Sequence, residues 1–261
     1  MVIADRLSVF VNEVYGDWTN STGANLWLAV IFFSFQIYCD FSGYSDIAIG
    51  SARIMGFDLM TNFNKPYLAR SVEEFWKRWH ISLSTWFRDY LYIPLGGNRS
   101  GTIRRYINLS IVFLVSGLWH GAGWNFMLWG ALHAVFVVLE LIYRSQFGKL
   151  QIPDAMKMFL TFFVVSIAWI FFRTSSTEQS FGILKRLFSF NQFGVLSTHS
   201  MNTIEVLFSV ALILLLLVIE RLDVRIQTRT RWTFAAMSAS VIFIIYLFGV
   251  FNQEQFIYFQ F

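Results

Sequence analysis

The stretch SGLWHGAGWNFMLWG, Ser116 to Gly130, decides how this chain is read. It breaks an apolar run with His120, set between Trp119 and the glycines Gly121 and Gly123. Burying a polar group without a partner costs roughly 2–7 kcal/mol. His120 is therefore either a hydrogen-bonded core residue or a working one, and this stretch alone leaves both open. The runs on its two sides, Tyr106 to Leu118 and Trp124 to Tyr143, approach the roughly 20 residues a helix needs to cross about 30 Å of hydrocarbon. His120 to Gly123 is then the connection between two crossings.

Working outward, comparable runs occupy Leu26 to Cys39, extended by a weakly polar run to Gly50, then Met156 to Phe172, Ile204 to Ile219 and Trp232 to Phe251. Over 261 residues, 56% are hydrophobic, 19% aromatic and 14% charged, against about 25% charged in a soluble domain. The expected fold is all-α: a polytopic transmembrane helical bundle forming a single membrane domain over 1–261. A lone cysteine, Cys39, excludes an internal disulfide framework, and no Cys or His pair has zinc spacing, so no structural metal is expected. Met1 to Leu7 carries Asp5 and Arg6 and lacks the pattern of a signal peptide.

The net charge of +4 does not call for a nucleic acid, because the basic residues sit between apolar runs, where the positive-inside rule puts them. Asp58 to Arg105 holds eight Lys/Arg, Arg144 to Lys157 three and Arg221 to Arg231 four. The alternate connections, His120 to Gly123, Arg173 to Thr203 and the tail, hold none, three and none. This bias places the basic loops in the cytoplasm and His120 toward the far side, with His80 on the opposite side from it.

Within the first run, YCDFSGYSDIAIG puts Asp40, Ser42, Tyr44, Ser45 and Asp46 at membrane depth, where polar groups usually face the protein interior or a water-filled cavity. Asp40 is either a pathway residue or a structural hydrogen-bonding group. Further on, Ser71 and Glu74 have capping-box spacing, so a helix is expected to start there. Val72, Phe75, Trp76, Trp79, Leu83, Trp86, Phe87 and Tyr90 recur at three- and four-residue spacing, with Glu74, Lys77, Arg78, Thr85 and Arg88 opposite. This predicts one amphipathic interfacial or re-entrant helix around 71–92, ended by Pro94 and Gly96–Asn98, with His80 at the edge of its stripe. Plain membrane anchoring would account for such a helix as well. His133 follows His120 by thirteen positions, about 220° around a continuous helix. It is accordingly read as structural, as is His199 in a polar loop, and the aromatic tail after Asn252 is read as packing at the interface.

FNKPYLARSVEEFWKRWHISLSTWFRDYLYIPLGGNR (Phe63 to Arg99), SGLWHGAGWNFMLWGALHA (Ser116 to Ala134), the YCDFSGYSDIAIG stretch and the closing FIYFQF together resemble the membrane-bound O-acyltransferase family. The likeness covers about half of the chain. The RWHxSLSxWFRDY core is shared with relatives that put D-alanine on teichoic acids, while the IPLGGNR continuation is more similar to the alginate O-acetyltransferase branch. Family members are usually longer, so the resemblance implies that this chain is the C-terminal part of a longer protein.

It further implies a channel through the bundle of a bacterial cytoplasmic (inner) membrane protein, along which an acyl group passes to a hydroxyl. The donor would be acetyl-CoA or an acyl-carrier thioester, with no bound cofactor. The acceptor would be an extracytoplasmic polysaccharide, reached directly or through a periplasmic or extracellular transferase partner. His120 corresponds to the family's catalytic histidine and His80 to a second recurrent one; Asp40, Trp76, Ser84, Trp119 and Asn125 are candidate channel residues. Removing a hydroxyl proton during attack suits a histidine base. Gly121, Gly123 and Asn125 either offer donors to a developing oxyanion or simply make a turn. No GxSxG motif is present, so direct transfer is expected. The rival readings are a transporter or channel component, and a docking component that holds a partner through Lys77, Arg78 and Arg88.

Overall fold

A computed structural model describes residues 2–99, 101–148, 150–189, 194, 200–223 and 230–250. His199, the tail from Asn252 and most of the Arg221 to Arg231 linker lie outside the described residues. Among those described there are ten α-helices and no strand. They are α1 (Ala4–Gly16), α2 (Gly23–Ile54), α3 (Val72–Trp76), α4 (Ile81–Phe87), α5 (Thr102–His120), α6 (Trp124–Phe147), α7 (Asp154–Arg173), α8 (Thr177–Leu187), α9 (Thr203–Leu222) and α10 (Arg231–Phe248). Five of them, α2, α6, α7, α9 and α10, are long and apolar enough to cross a membrane. The sixth run expected to cross does form α5, but that helix carries Arg104, Arg105, Asn108 and three serines or threonines among its apolar residues and is not one of the five.

The helices form two compact units. One comprises the described residues of Met1–Phe41 and Arg186–Gln260. There α1 buries Leu7, Phe10, Val11 and Val14, an i, i+3, i+4, i+7 stripe that fits its weakly amphipathic sequence. Phe10 meets Phe32 edge-on at 5.3 Å, and the Arg6 guanidinium donates to the Phe248 carbonyl at 2.8 Å. Tyr38 donates to the Glu220 carboxylate. α10 buries none of its side chains.

The second unit, Ser42–Lys185, holds His80, His120 and His133. Its centre is the α5–α6 hairpin, where two glycines let the backbones touch. A Cβ on Gly117 would stand 2.4 Å from the Phe126 carbonyl oxygen, and one on Gly130 would stand 2.3 Å from that of Phe113. Close approach through small residues is how helices pack in lipid, where burial of apolar surface drives little association. Below the hairpin, Val72 of α3 joins Phe113, Ala134, Val137 and Leu141 in one apolar cluster. Glu73 ties α3 to α6 by a 2.7 Å ion pair with Arg144 and also pairs with Lys77 at 2.7 Å. Burial pushes its carboxyl up, but the hydrogen bonds and charges of Lys77 and Arg144 more than offset this and hold it below the usual range.

The single helix expected over 71–92 is two short helices and a π turn, Arg88–Tyr92. Its start is where the sequence puts it: Glu74 N–H donates to Ser71 Oγ at 3.0 Å. The Glu74 carboxylate, however, accepts from the Arg70 N–H (2.7 Å), one residue ahead of the cap. The break has a tertiary cause. Asn64 N–H donates to the Arg78 carbonyl, and Ile81 N–H to the Asn62 carbonyl, each at 2.9 Å. The Asn62 side chain accepts from both the N–H and the hydroxyl of Ser82. Backbone groups that a continuous helix would pair internally are thus taken by the preceding loop, and His80 adopts the left-handed conformation, φ 44°. The apolar stripe splits with it: Val72, Phe75, Trp79 and Phe87 are buried, while Trp86 and Tyr90 are exposed.

Candidate active site

His120 ends α5 immediately before the turn at Gly121. Its half-buried imidazole meets three aromatic rings edge-on: Trp119 at 4.9 Å, Phe172 at 5.1 Å and Trp129 at 5.2 Å. Gly121 is required here by space, since a Cβ would lie 2.5 Å from the Phe126 ring. Asn125, buried at the start of α6, donates to the Thr174 carbonyl at 2.6 Å and so fastens the turn to the end of α7. Its amide is engaged in holding this corner.

Trp129 links His120 to the rest of the unit. Its ring stacks on Trp169 of α7 at 5.9 Å and meets His133 at 5.1 Å. His120 and His133 would lie on different faces of one continuous helix, but α5 ends at His120 and α6 begins at Trp124. The chain instead reverses at Gly121–Gly123, so the two imidazoles pack on the same indole. His133 is fully buried, and its Nδ1 accepts from the Trp76 indole N–H at 3.2 Å.

His80 reaches the same neighbourhood from the α3–α4 side. Its neighbour Trp79 packs on Trp169 at 5.1 Å, and the imidazole lies within electrostatic reach of His120. Trp79 also stacks on Phe75 at 5.4 Å. His80 is buried, and burial pushes its pKa down to about 4, so it is neutral at pH 7. A left-handed backbone at a buried histidine is a strained feature of the kind that clusters at functional sites.

The remaining candidates are dispersed. Trp119 is exposed on α5 apart from its contact with His120. Ser84 donates to the Trp79 carbonyl at 3.3 Å. Ser84 and Trp76 both line a cavity of about 300 Å³, together with Phe113, Ser116, Lys77 and Arg88. Asp40 is half-buried in α2 and belongs to the other compact unit. A larger cavity of about 660 Å³, lined by Arg70, Glu140 and Arg144 among others, has no histidine in its wall. Trp129, Trp169 and Phe172 escaped the sequence reading, although Trp129 and His133 at i, i+4 on α6 already announce a shared face.

A profile of the MBOAT, membrane-bound O-acyltransferase, family matches residues 2–177. The chain belongs to the membrane-bound O-acyltransferase family. It is 40% identical over 200 residues to the probable alginate O-acetylase AlgI of Pseudomonas aeruginosa, covering 77% of this chain and 38% of that protein. To the peptidoglycan O-acetyltransferase of Helicobacter pylori it is 40% identical over 193 residues, 73% of this chain and 37% of that one. The teichoic acid D-alanyltransferase of Streptococcus thermophilus is 30% identical over 166 residues, 54% and 39% of the two chains. This chain thus spans about two-fifths of the length of these relatives. Family membership agrees with the all-helical fold and with the five helices able to cross a membrane.

Proposed function

We propose that this chain carries the acyl-transfer centre of a membrane O-acyltransferase of the bacterial cytoplasmic membrane, and that the whole protein passes acetyl groups to hydroxyls of an extracytoplasmic polysaccharide. The observation that carries this reading is His120, held at the turn before α6 against the rings of Trp119, Trp129 and Phe172, in a chain of the membrane-bound O-acyltransferase family. The choice of acetyl over another acyl group is supported by the names of two relatives at 40% identity, an acetylase and an acetyltransferase.

In the proposed reaction the acceptor hydroxyl oxygen attacks the carbonyl carbon of an acetyl thioester, and His120 takes the hydroxyl proton. The carbonyl π electrons move onto oxygen, and the oxyanion then collapses. The carbon–sulfur bond breaks, the thiolate leaves with that electron pair, and it recovers the proton from His120. General-base help of this kind contributes roughly 10² to 10⁴ in rate. The donor, acetyl-CoA or an acyl-carrier thioester, enters beside α3 and α4 through the 300 Å³ cavity, where Lys77, Arg88 and Arg105 suit its phosphates. An extracytoplasmic transferase partner is a compatible relay to the polysaccharide.

The test is His120→Ala in the full-length protein. It should abolish the acetyl esters of the cell's polysaccharide while leaving the amount of protein in the membrane unchanged; esters at the wild-type level would end the proposal.

A further inference from the structure

Around Trp129, three ring N–H groups are buried without an acceptor. Trp76 donates to His133 Nδ1, and an indole nitrogen can only donate, so Nδ1 must hold the lone pair and Nε2 the proton. His133 is thereby fixed as a neutral imidazole with its N–H at Nε2. That nitrogen has no hydrogen-bond partner among the described residues, and neither do Trp129 Nε1 and Trp169 Nε1. The three rings touch one another, with centroids 5.1 Å apart for Trp129–His133, 5.9 Å for Trp129–Trp169 and 6.3 Å for His133–Trp169. Trp129 also packs against His120.

Each buried donor left unpaired costs about 1–3 kcal/mol, and chains rarely leave several in one place without a use. The set has a definite chemical character: three uncharged donors, with the rings of Phe113 and Phe172 against them. It would reject a hydroxyl proton or a cation and accept an oxygen that carries lone pairs only. A thioester carbonyl is such a group, and its oxygen becomes a still better acceptor as negative charge develops on it.

We infer that His133 Nε2, with the indole N–H groups of Trp129 and Trp169, forms the site for the carbonyl oxygen of the travelling acyl group, beside the base His120. The inference rests on the acyl-transfer reading above. His133 is then a substrate-binding residue. Trp76 is a positioning residue, because its hydrogen bond sets the tautomer that exposes Nε2–H.

The test compares two variants of the full-length protein, scored as polysaccharide acetyl ester formed per molecule of transferase in the membrane. His133→Asn keeps an acceptor for Trp76 where Nδ1 stood and leaves nothing at Nε2. Its rate should fall about 10² to 10³-fold, the usual loss of one oxyanion donor. His133→Gln restores an amide N–H at the Nε2 position and should recover at least about tenfold of that loss. A His133→Asn rate within a few-fold of wild type, or a His133→Gln no better than His133→Asn, overturns the inference. So does a variant that loses thermal stability at an unchanged rate, which would assign the donors to a resident water. Should His133→Asn not accumulate, Trp169→Phe decides. It keeps a ring against Trp129 and deletes one N–H; an unchanged rate overturns the inference and a tenfold loss at normal abundance supports it. An active His120→Ala protein would instead strike the acyl-transfer reading itself.

Discussion

The second half of α2 and the α5–α6 hairpin look alike in sequence, and the structure treats them in opposite ways. Both interrupt apolar runs with glycines and polar residues: SGYSDIAIG in one, SGLWHGAGWNFMLWG in the other. Along α2, Tyr44 and Asp46 are exposed, and of the polar group only Ser45 is buried, accepting from Asn62 at 3.3 Å. A Cβ added at Gly43 or Gly50 would meet nothing within 4 Å. In the hairpin, Gly117 and Gly130 lie against backbone, and His120, Asn125 and His133 are all engaged. The same kind of polar interruption is thus packed tightly in the hairpin and left open to its surroundings along α2.

The largest effect that would break this contrast is expected at Gly117. In Gly117→Val the new Cβ stands 2.4 Å from a main-chain oxygen that no rotamer change can move. The hairpin must open or the variant must fail to fold; overpacking of this kind costs about 1–3 kcal/mol, occasionally more. Thermal unfolding in detergent should show a fall of several degrees, and acyl transfer should drop further because His120 lies three residues along the same helix. A variant with wild-type stability would mean that the glycine contact does not hold the site.

A smaller effect is expected at His80, where backbone and imidazole can be separated. Asn tolerates the left-handed conformation and Val does not, so His80→Val should be less stable than His80→Asn by about 1–3 kcal/mol. The imidazole has its own signature. Its pKa is about 4 when folded, against 6.5 as the ordinary value. Between those values the unfolded chain binds the extra proton, so the stability His80 contributes is present above pH 6.5 and is lost as pH falls toward 4. Moving from pH 7.5 to 5.5 should therefore lower the midpoint of the native protein more than that of His80→Asn. Equal shifts would place His80 outside the buried cluster.

What could be read from sequence follows the range of the interactions involved. The apolar runs set helix positions because crossing length is local information, and Ser71 marks the start of α3 because a cap is made within one turn. The break at His80 was not legible: its cause is Asn62 and Asn64, whose backbone pairs with Arg78 and Ile81 from outside the segment. The same holds for the shared neighbourhood of His120 and His133. It depends on the turn at Gly121–Gly123 and on Trp129 and Trp169, contributed by α6 and α7.

The smallest effect reverses the sign of the largest. Gly50 lies in α2, exposed, with open space where a Cβ would go. Glycine inside a helix costs up to about 1 kcal/mol relative to alanine, through the backbone freedom it loses on folding. With no neighbour to displace, Gly50→Ala should raise the thermal midpoint slightly and leave acyl transfer unchanged, whereas the change at Gly117 lowers both. If Gly50→Ala destabilises the protein instead, the second half of α2 has a close neighbour in the whole protein. The polar residues beside it, Tyr44 and Asp46, would then have to be counted as interior groups like those of the hairpin.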